Sequence, residues 1–136
     1  MPTLPWTTPD DAHTTPDDGV VVLASRLELR SLRDVPGFLR AAMAVRQQVL
    51  HAPGALGVSL IAQPLAKTFW TLSSWQSQAA LDTFTGAEPH RSTMARFRPR
   101  MREGTFVTWP VPPEDVTPTW PDAQARIAGQ RGSGAG

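Results

Sequence analysis

The chain has 136 residues, of which 40% are apolar and 18% charged, with no cysteine and a formal net charge of +1. These are the proportions of one soluble globular domain with a core of its own. The missing cysteine excludes disulfides, thiolate nucleophiles, iron–sulfur clusters and cysteine-held zinc, while the short apolar runs and the absence of a secretory pattern lead to the expectation of a cytoplasmic protein that spans no membrane.

The near-zero charge is a sum of unlike parts. Residues 1–18 carry four Asp and no Lys or Arg, whereas residues 20–109 carry ten Arg and Lys67 against Glu28, Asp34, Asp82, Glu88 and Glu103. Proline marks the same divisions: four of fourteen precede residue 17 and five fall between Pro110 and Pro121. Residues 7–11 and 14–18 both read Thr-Thr-Pro-Asp-Asp, with too little apolar content to offset the entropy of ordering them. The expected layout is therefore a disordered acidic tail over 1–18, a domain over 19–110, and a proline-rich extension over 111–136 with a short helix and a frayed end from Gln130. Trp6 is the one side chain in the tail able to dock on the domain or on a partner.

Within the domain, Val20 to Leu29 is β-branched and then alternating, which predicts a first strand. From Val35 the apolar positions become Phe38, Leu39, Ala42, Val45 and Val49, the spacing of an amphipathic helix with Asp34 as N-cap and Pro53-Gly54 as stop. Leu56 to Gln63 and Thr68 to Trp75 predict a hairpin. A second helix starts at Ser77 and ends near Gly86, and a third opens at Pro89 and stops before Pro99. Gly104 to Trp109 predicts the last strand. The order βαββ(αα)β is that of an α+β, ferredoxin-like fold, a four-stranded antiparallel sheet with helices on one face. Its other apolar face would need a cover, and a second copy of the chain, a homodimer, is the expected one.

The stretch Thr68 to Pro99 resembles the second half of dimeric α/β-barrel domains of the antibiotic-biosynthesis monooxygenase superfamily, through a strand ending in Trp75, the Ala80-Leu81 pair, Phe84 and the Glu88-Pro89-His90 helix start. The segment Phe106 to Ile127, with its Trp-Pro-Val-Pro turn, is similar to an uncharacterised branch of that superfamily. The resemblance spans about residues 20–127 and implies a cavity between helices and sheet. It also implies a range of activities, from cofactor-free oxygenation of aromatic molecules to haem binding.

Three histidines offer proton-transfer groups. His13 lies in the acidic tail and His51 at a helix C-terminus, where a cation suits the dipole. His90 sits in the first turn of a helix, where free N–H groups favour a neutral imidazole able to act as base, donor or metal ligand. In haem-binding members of the resembled superfamily, the ligating histidine stands about one turn later, where this chain has Met94. Alternation along Thr68 to Trp75 puts Phe69 and Trp75 on one face and Trp70 on the other. Arg91, Arg96, Arg98, Arg100 and Arg102 form a basic stretch, but spacing two around Pro99 disperses them, so nucleic acid is not an expected partner. No metal-spaced cluster, phosphate loop or nucleophile elbow is present, and no metal is expected.

The sequence thus points to a monooxygenase-like, cofactor-independent enzyme for a small apolar or aromatic ligand. His90 is its general base, Arg91 or Arg26 the anion partner, and Trp70, Trp75, Phe69 and Met94 the binding walls. The alternatives are a non-catalytic ligand- or haem-binding module of the same fold, and a structural protein whose tail docks elsewhere through Trp6.

Overall fold

In the computed structural model, which describes residues 3–9, 20–112 and 117–134, the alternating stretches become the strands β2 (Val20–Leu29), β3 (Ala55–Gln63), β4 (Thr68–Trp75) and β5 (Met101–Val111). They alternate with α1 (Val35–His51), α2 (Gln78–Thr85) and α3 (His90–Phe97). Two further elements lie at the ends: a strand β1 (Thr3–Thr7) and a helix α4 (Trp120–Gly134). All five strands form one antiparallel sheet in the order β1-β3-β4-β2-β5. The four strands β2 to β5 keep the ferredoxin-like connectivity expected from the sequence, and the protein is α+β.

Local chemistry sets the turns. The Ser77 hydroxyl accepts from the backbone N–H of Ala80 at 3.1 Å and caps α2. Asp34 stands at the N-terminus of α1, but its side chain makes no cap and instead pairs with Arg100 at 2.9 Å. Gly54 ends the α1 turn with φ of 84°, and a Cβ there would lie 2.6 Å from the Cβ of Ala80. Only glycine meets both demands at no cost.

Register fixes the two sheet faces. Leu23, Ser25 and Leu27 of β2 pair with Ser73, Thr71 and Phe69 of β4, and these side chains face α1, α2 and α3. Val22 and Ala24, with Leu72 and Trp109, face the other way. Phe69 and Trp75 are fully buried on the first face and Trp70 lies on the second, as the alternation predicts.

Three expectations are corrected. Residues 3–7 are not disordered: they add β1 to the edge of β3, where Pro5 is tolerated because an edge strand pairs on one side only. Trp6 supplies the reason, since its ring lies where a Cβ on Gly57 would be, 2.2 Å from the nearest ring atom, and Ser59 donates to the Leu4 carbonyl at 2.7 Å. Residues 10–19, which hold His13 and the acidic pairs of the expected tail, lie outside the described residues.

The second correction concerns the C-terminus. The part from Gln130 is not frayed up to Gly134, because α4 is an integral layer: Ala123 and Ile127 are buried against Val22, Ala24, Leu72 and Trp109. Trp120 Nε1 donates to Ser59 Oγ at 3.0 Å, and Arg126 lies over the Trp109 ring at 4.5 Å. Thirdly, helices cover both faces of the sheet rather than one, because the chain's own α4 and Trp6 pack on the second face. Among the described residues no helix is long and apolar enough to cross a membrane.

If α4 is a core layer, Ile127→Ala lowers the unfolding free energy by about 2–4 kcal/mol. Leu65→Ala, at a position 91% exposed, changes it by no more than about 0.5 kcal/mol. Urea unfolding of the two variants checks this, and equal, small effects would show α4 to be peripheral.

Candidate functional site

Between α1, α3 and the first sheet face lies a cavity of about 90 Å³. Its walls are mostly apolar, with Phe38, Ala42, Val45 and Val49 from α1, Leu23 and Leu27 from β2, and Val58 and Leu60 from β3. Polar groups enter at a few points: His90, Thr93, Arg46, and a floor of Ser25, Thr71 and Ser73. The Ser25 and Thr71 hydroxyls bond to each other across the β2–β4 pair, and Ser73 accepts from Trp75 Nε1 at 2.9 Å. A concave, mostly apolar space with a few convergent polar groups is the usual form of a small-molecule site.

His90 is the first residue of α3. Its backbone N–H donates to Gln48 Oε1 at 2.8 Å, and the Gln48 amide donates to the Phe84 carbonyl at 3.1 Å, so one side chain of α1 ties down the corner between α2 and α3. The imidazole rests on Phe84 with centroids 4.9 Å apart, and Phe84 rests on Trp75 at 4.7 Å. The Thr85 carbonyl, an acceptor, lies 3.2 Å from Nδ1. Nδ1 therefore carries the hydrogen of the neutral ring, and the lone pair is on Nε2. Burial disfavours the charged ring and holds its pKa below the ordinary 6.5, against the smaller opposing effect of the Thr85 bond. The neutral state expected from the sequence thus has burial as its chief cause.

An open groove on the surface, of about 380 Å³, runs past Thr85, Arg91, Ala95 and Arg98 and shares His90, Met94 and Phe106 with the cavity. Phe106 is 45% exposed. These three shared residues form the mouth of the site, on the α3–β5 side of the fold.

The sequence-derived site residues divide accordingly. His90 and Met94 meet at the cavity. Arg91 sits on the outer groove, well exposed, 3.5 Å from Glu88, and does not line the cavity. Phe69 and Trp75 lie on the correct face but are packed solid, Phe69 against Phe38 at 4.7 Å, and Trp75 acts on the site only through Phe84. Trp70 and Arg26 belong to the opposite face: Arg26 lies 5.5 Å from the Trp70 ring and 3.3 and 3.5 Å from Glu28 and Glu103. Alternation places an arginine on a face without saying which face carries the cavity. His51 is exposed and bonds the Gln47 carbonyl at 2.9 Å. The basic stretch is dispersed as expected, with Arg100 on Asp34 and Arg102 3.7 Å from Glu28. Among the described residues no group of three His, Asp or Glu converges as a metal site.

Two residues were missed by the sequence reading, Arg46 and Gln48. Arg46 had a signal: it falls four after Ala42 and three before Val49, inside the apolar stripe of α1. Gln48 had none, because its role depends on the position of a corner forty residues away.

Solved structures with this architecture include a candidate antibiotic biosynthesis monooxygenase from Nitrosomonas europaea, with a TM-score of 0.62 at 10% identity over 70% of this chain and 92% of that one. A similar candidate from Caulobacter crescentus gives 0.60 at 16% identity over 69% and 91%. SnoaB, a cofactor-independent oxygenase from Streptomyces nogalater, gives 0.57 at 11% identity over 75% and 97%. Identities this low bear on the fold alone. No functionally curated protein matches the sequence. A family model described as a domain of unknown function (DUF3291) matches residues 31–136, from the turn before α1 to the end of α4. The chain belongs to this DUF3291 family, on an antibiotic biosynthesis monooxygenase-like fold.

Proposed function

We propose that the protein is a monooxygenase-like enzyme that works without a bound cofactor on a small apolar or aromatic molecule, with His90 as general base. The observation that carries this reading is a half-buried imidazole at the mouth of an apolar cavity, with Nδ1 on the Thr85 carbonyl and the backbone N–H on Gln48. Nε2 takes a proton from an acidic C–H or O–H of the ligand, and the resulting anion reduces dioxygen. One oxygen atom enters the ligand and the other leaves with two ligand hydrogens as water, so that a CH₂ becomes a carbonyl. Low polarity favours such chemistry, since a base near its neutral point and a dry pocket both assist proton removal. Among the neighbours of known fold, SnoaB is a cofactor-independent oxygenase, which lends this reading support at the level of architecture.

The size of the site refines the substrate. A space of about 90 Å³ is smaller than the roughly 150 Å³ in which an apolar protein cavity takes up benzene. Without displacement of Met94 or Phe106 a body of a few carbons is the upper limit, and a single ring enters only when those two side chains at the mouth move aside. The residues do not fit haem: the cavity is many times too small for the macrocycle, and Met94 packs against the core around Phe38 and Phe97. The lining residues named above all come from one chain.

Oxygen uptake by the full chain on a panel of small phenols, hydroquinones and 1,3-dicarbonyl compounds tests the activity. On any compound turned over, His90→Ala lowers the rate by about a hundredfold to ten-thousandfold, whereas Arg91→Ala and Arg26→Ala stay within a few-fold. Full turnover by His90→Ala would refute the assignment. Saturable binding without uptake across the panel would support the ligand-binding module instead.

His90 also gives a pH signature. Its folded pKa lies below 6.5, so as pH falls the unfolded chain takes up this proton first. The stability contribution is complete above about 6.5 and is lost as pH drops through the folded value. NMR titration of the His90 ring, together with unfolding free energies across that window, should show the loss in the wild type and a shallower slope in His90→Gln. A ring titrating at or above 6.5 would contradict the burial argument.

A further inference from the structure

The arginines of this fold are not equally satisfied. Arg26, Arg91, Arg100, Arg102, Arg126 and Arg131 each have a carboxylate within 4 Å. Arg46 has none among the described residues. Its Nη2 donates to the neutral hydroxyl of Thr7 at 2.9 Å, and its Nε is buried with no hydrogen-bond partner. Arg26 also has a buried nitrogen without a hydrogen bond, Nη1, but that atom lies 3.5 Å from Glu103. Arg46 instead stands in the wall of the apolar cavity with Val45, Val49 and Val58.

Arg46 is half-buried, with its Nε turned away from solvent, and a guanidinium keeps its proton at any working pH, so this buried side cannot escape the cost of desolvation by becoming neutral. That cost is offset by an anion or left uncompensated. We infer that Arg46 anchors the carboxylate of the ligand, and that the cavity takes short or single-ring carboxylic acids. The inference rests on the proposed reading for the identity of the site and adds which end of the ligand is charged. Among the described lining residues Arg46 is the one Lys or Arg, which matches a monoanion, whereas a phosphate dianion would bring a second charge with no partner among them. The planar guanidinium fork suits a carboxylate, and the cavity volume limits the acid to a few carbons, or to one ring once Met94 and Phe106 move aside. Thr7 of β1, held against β3, steadies the guanidinium from behind.

The test uses the full chain and a matched pair of probes, 3-methylbutanoate and 3-methylbutanol, which differ in charge far more than in shape, followed by NMR at neutral pH. The acid should bind at least about tenfold more tightly than the alcohol, the size of a hydrogen-bonded charge contact, and should shift the Nε–H signal of Arg46. Arg46→Met should abolish the preference and Arg46→Lys should retain part of it. His90→Gln should leave it intact, so that a failed anchor and a failed base are read separately. The proposal is overturned if neither probe binds, if acid and alcohol bind alike, if the Arg46 signal does not move, or if Arg46→Met keeps the preference. The wild-type ratio and the Arg46 signal decide even if Arg46→Met does not fold.

Discussion

Leu23, Ser25 and Leu27 point to one side of β2 while Val22, Ala24 and Arg26 point to the other, so the sheet has two faces to keep from water and both lie within one chain. Burying a large apolar side chain contributes about 1.5–3 kcal/mol, and the second face collects Val22, Leu72, Trp109, Ile127 and parts of Trp6, Trp70 and Trp120. That gain orders the termini. A helix of fifteen residues is marginal in water by itself, and α4 forms because the sheet offers Ala123 and Ile127 a surface. β1 follows the same logic, with Trp6 seated on Gly57.

Closing the second face also decides where a ligand belongs. The α4 side is filled by indole rings and an Arg26–Glu28–Glu103 network, while the α1 side retains about 90 Å³ of space lined by aliphatic side chains. The corner from Trp75 through Phe84 to His90, tied to α1 by Gln48, holds the imidazole at the mouth of that space. Stability and site geometry therefore share residues, since Trp75 contributes to the core and supports His90 through one intermediate ring.

Much of the architecture could be read from the residues. The strands and helices of the ferredoxin-like unit follow from periods of two and 3.6, and the assignment of Phe69, Trp75 and Trp70 to faces follows from alternation. What escaped was long-range. Thr3–Thr7 looks like a polar tail because its docking depends on a glycine fifty residues away, and α4 lacks a strong apolar stripe because it presents little more than Ala123 and Ile127 inward. At the site, His90 and Met94 were identifiable from their position on α3. Arg26 and Trp70 were not separable from it by pattern, because alternation does not tell which side of the sheet is packed and which is open. Arg46 had its signal in the stripe of α1 and was obscured by the denser arginines downstream.

The functional reading depends on a usable internal space under α1 beside His90. Methyl-resolved NMR of the full chain under xenon pressure tests it directly, because xenon enters apolar cavities and shifts the methyl groups that line them. The account requires saturable shifts at Met94, Val45 and Val58, with Val22 and Ile127 unmoved. Silent Met94, Val45 and Val58 methyls, or shifts centred on Ile127, would contradict it.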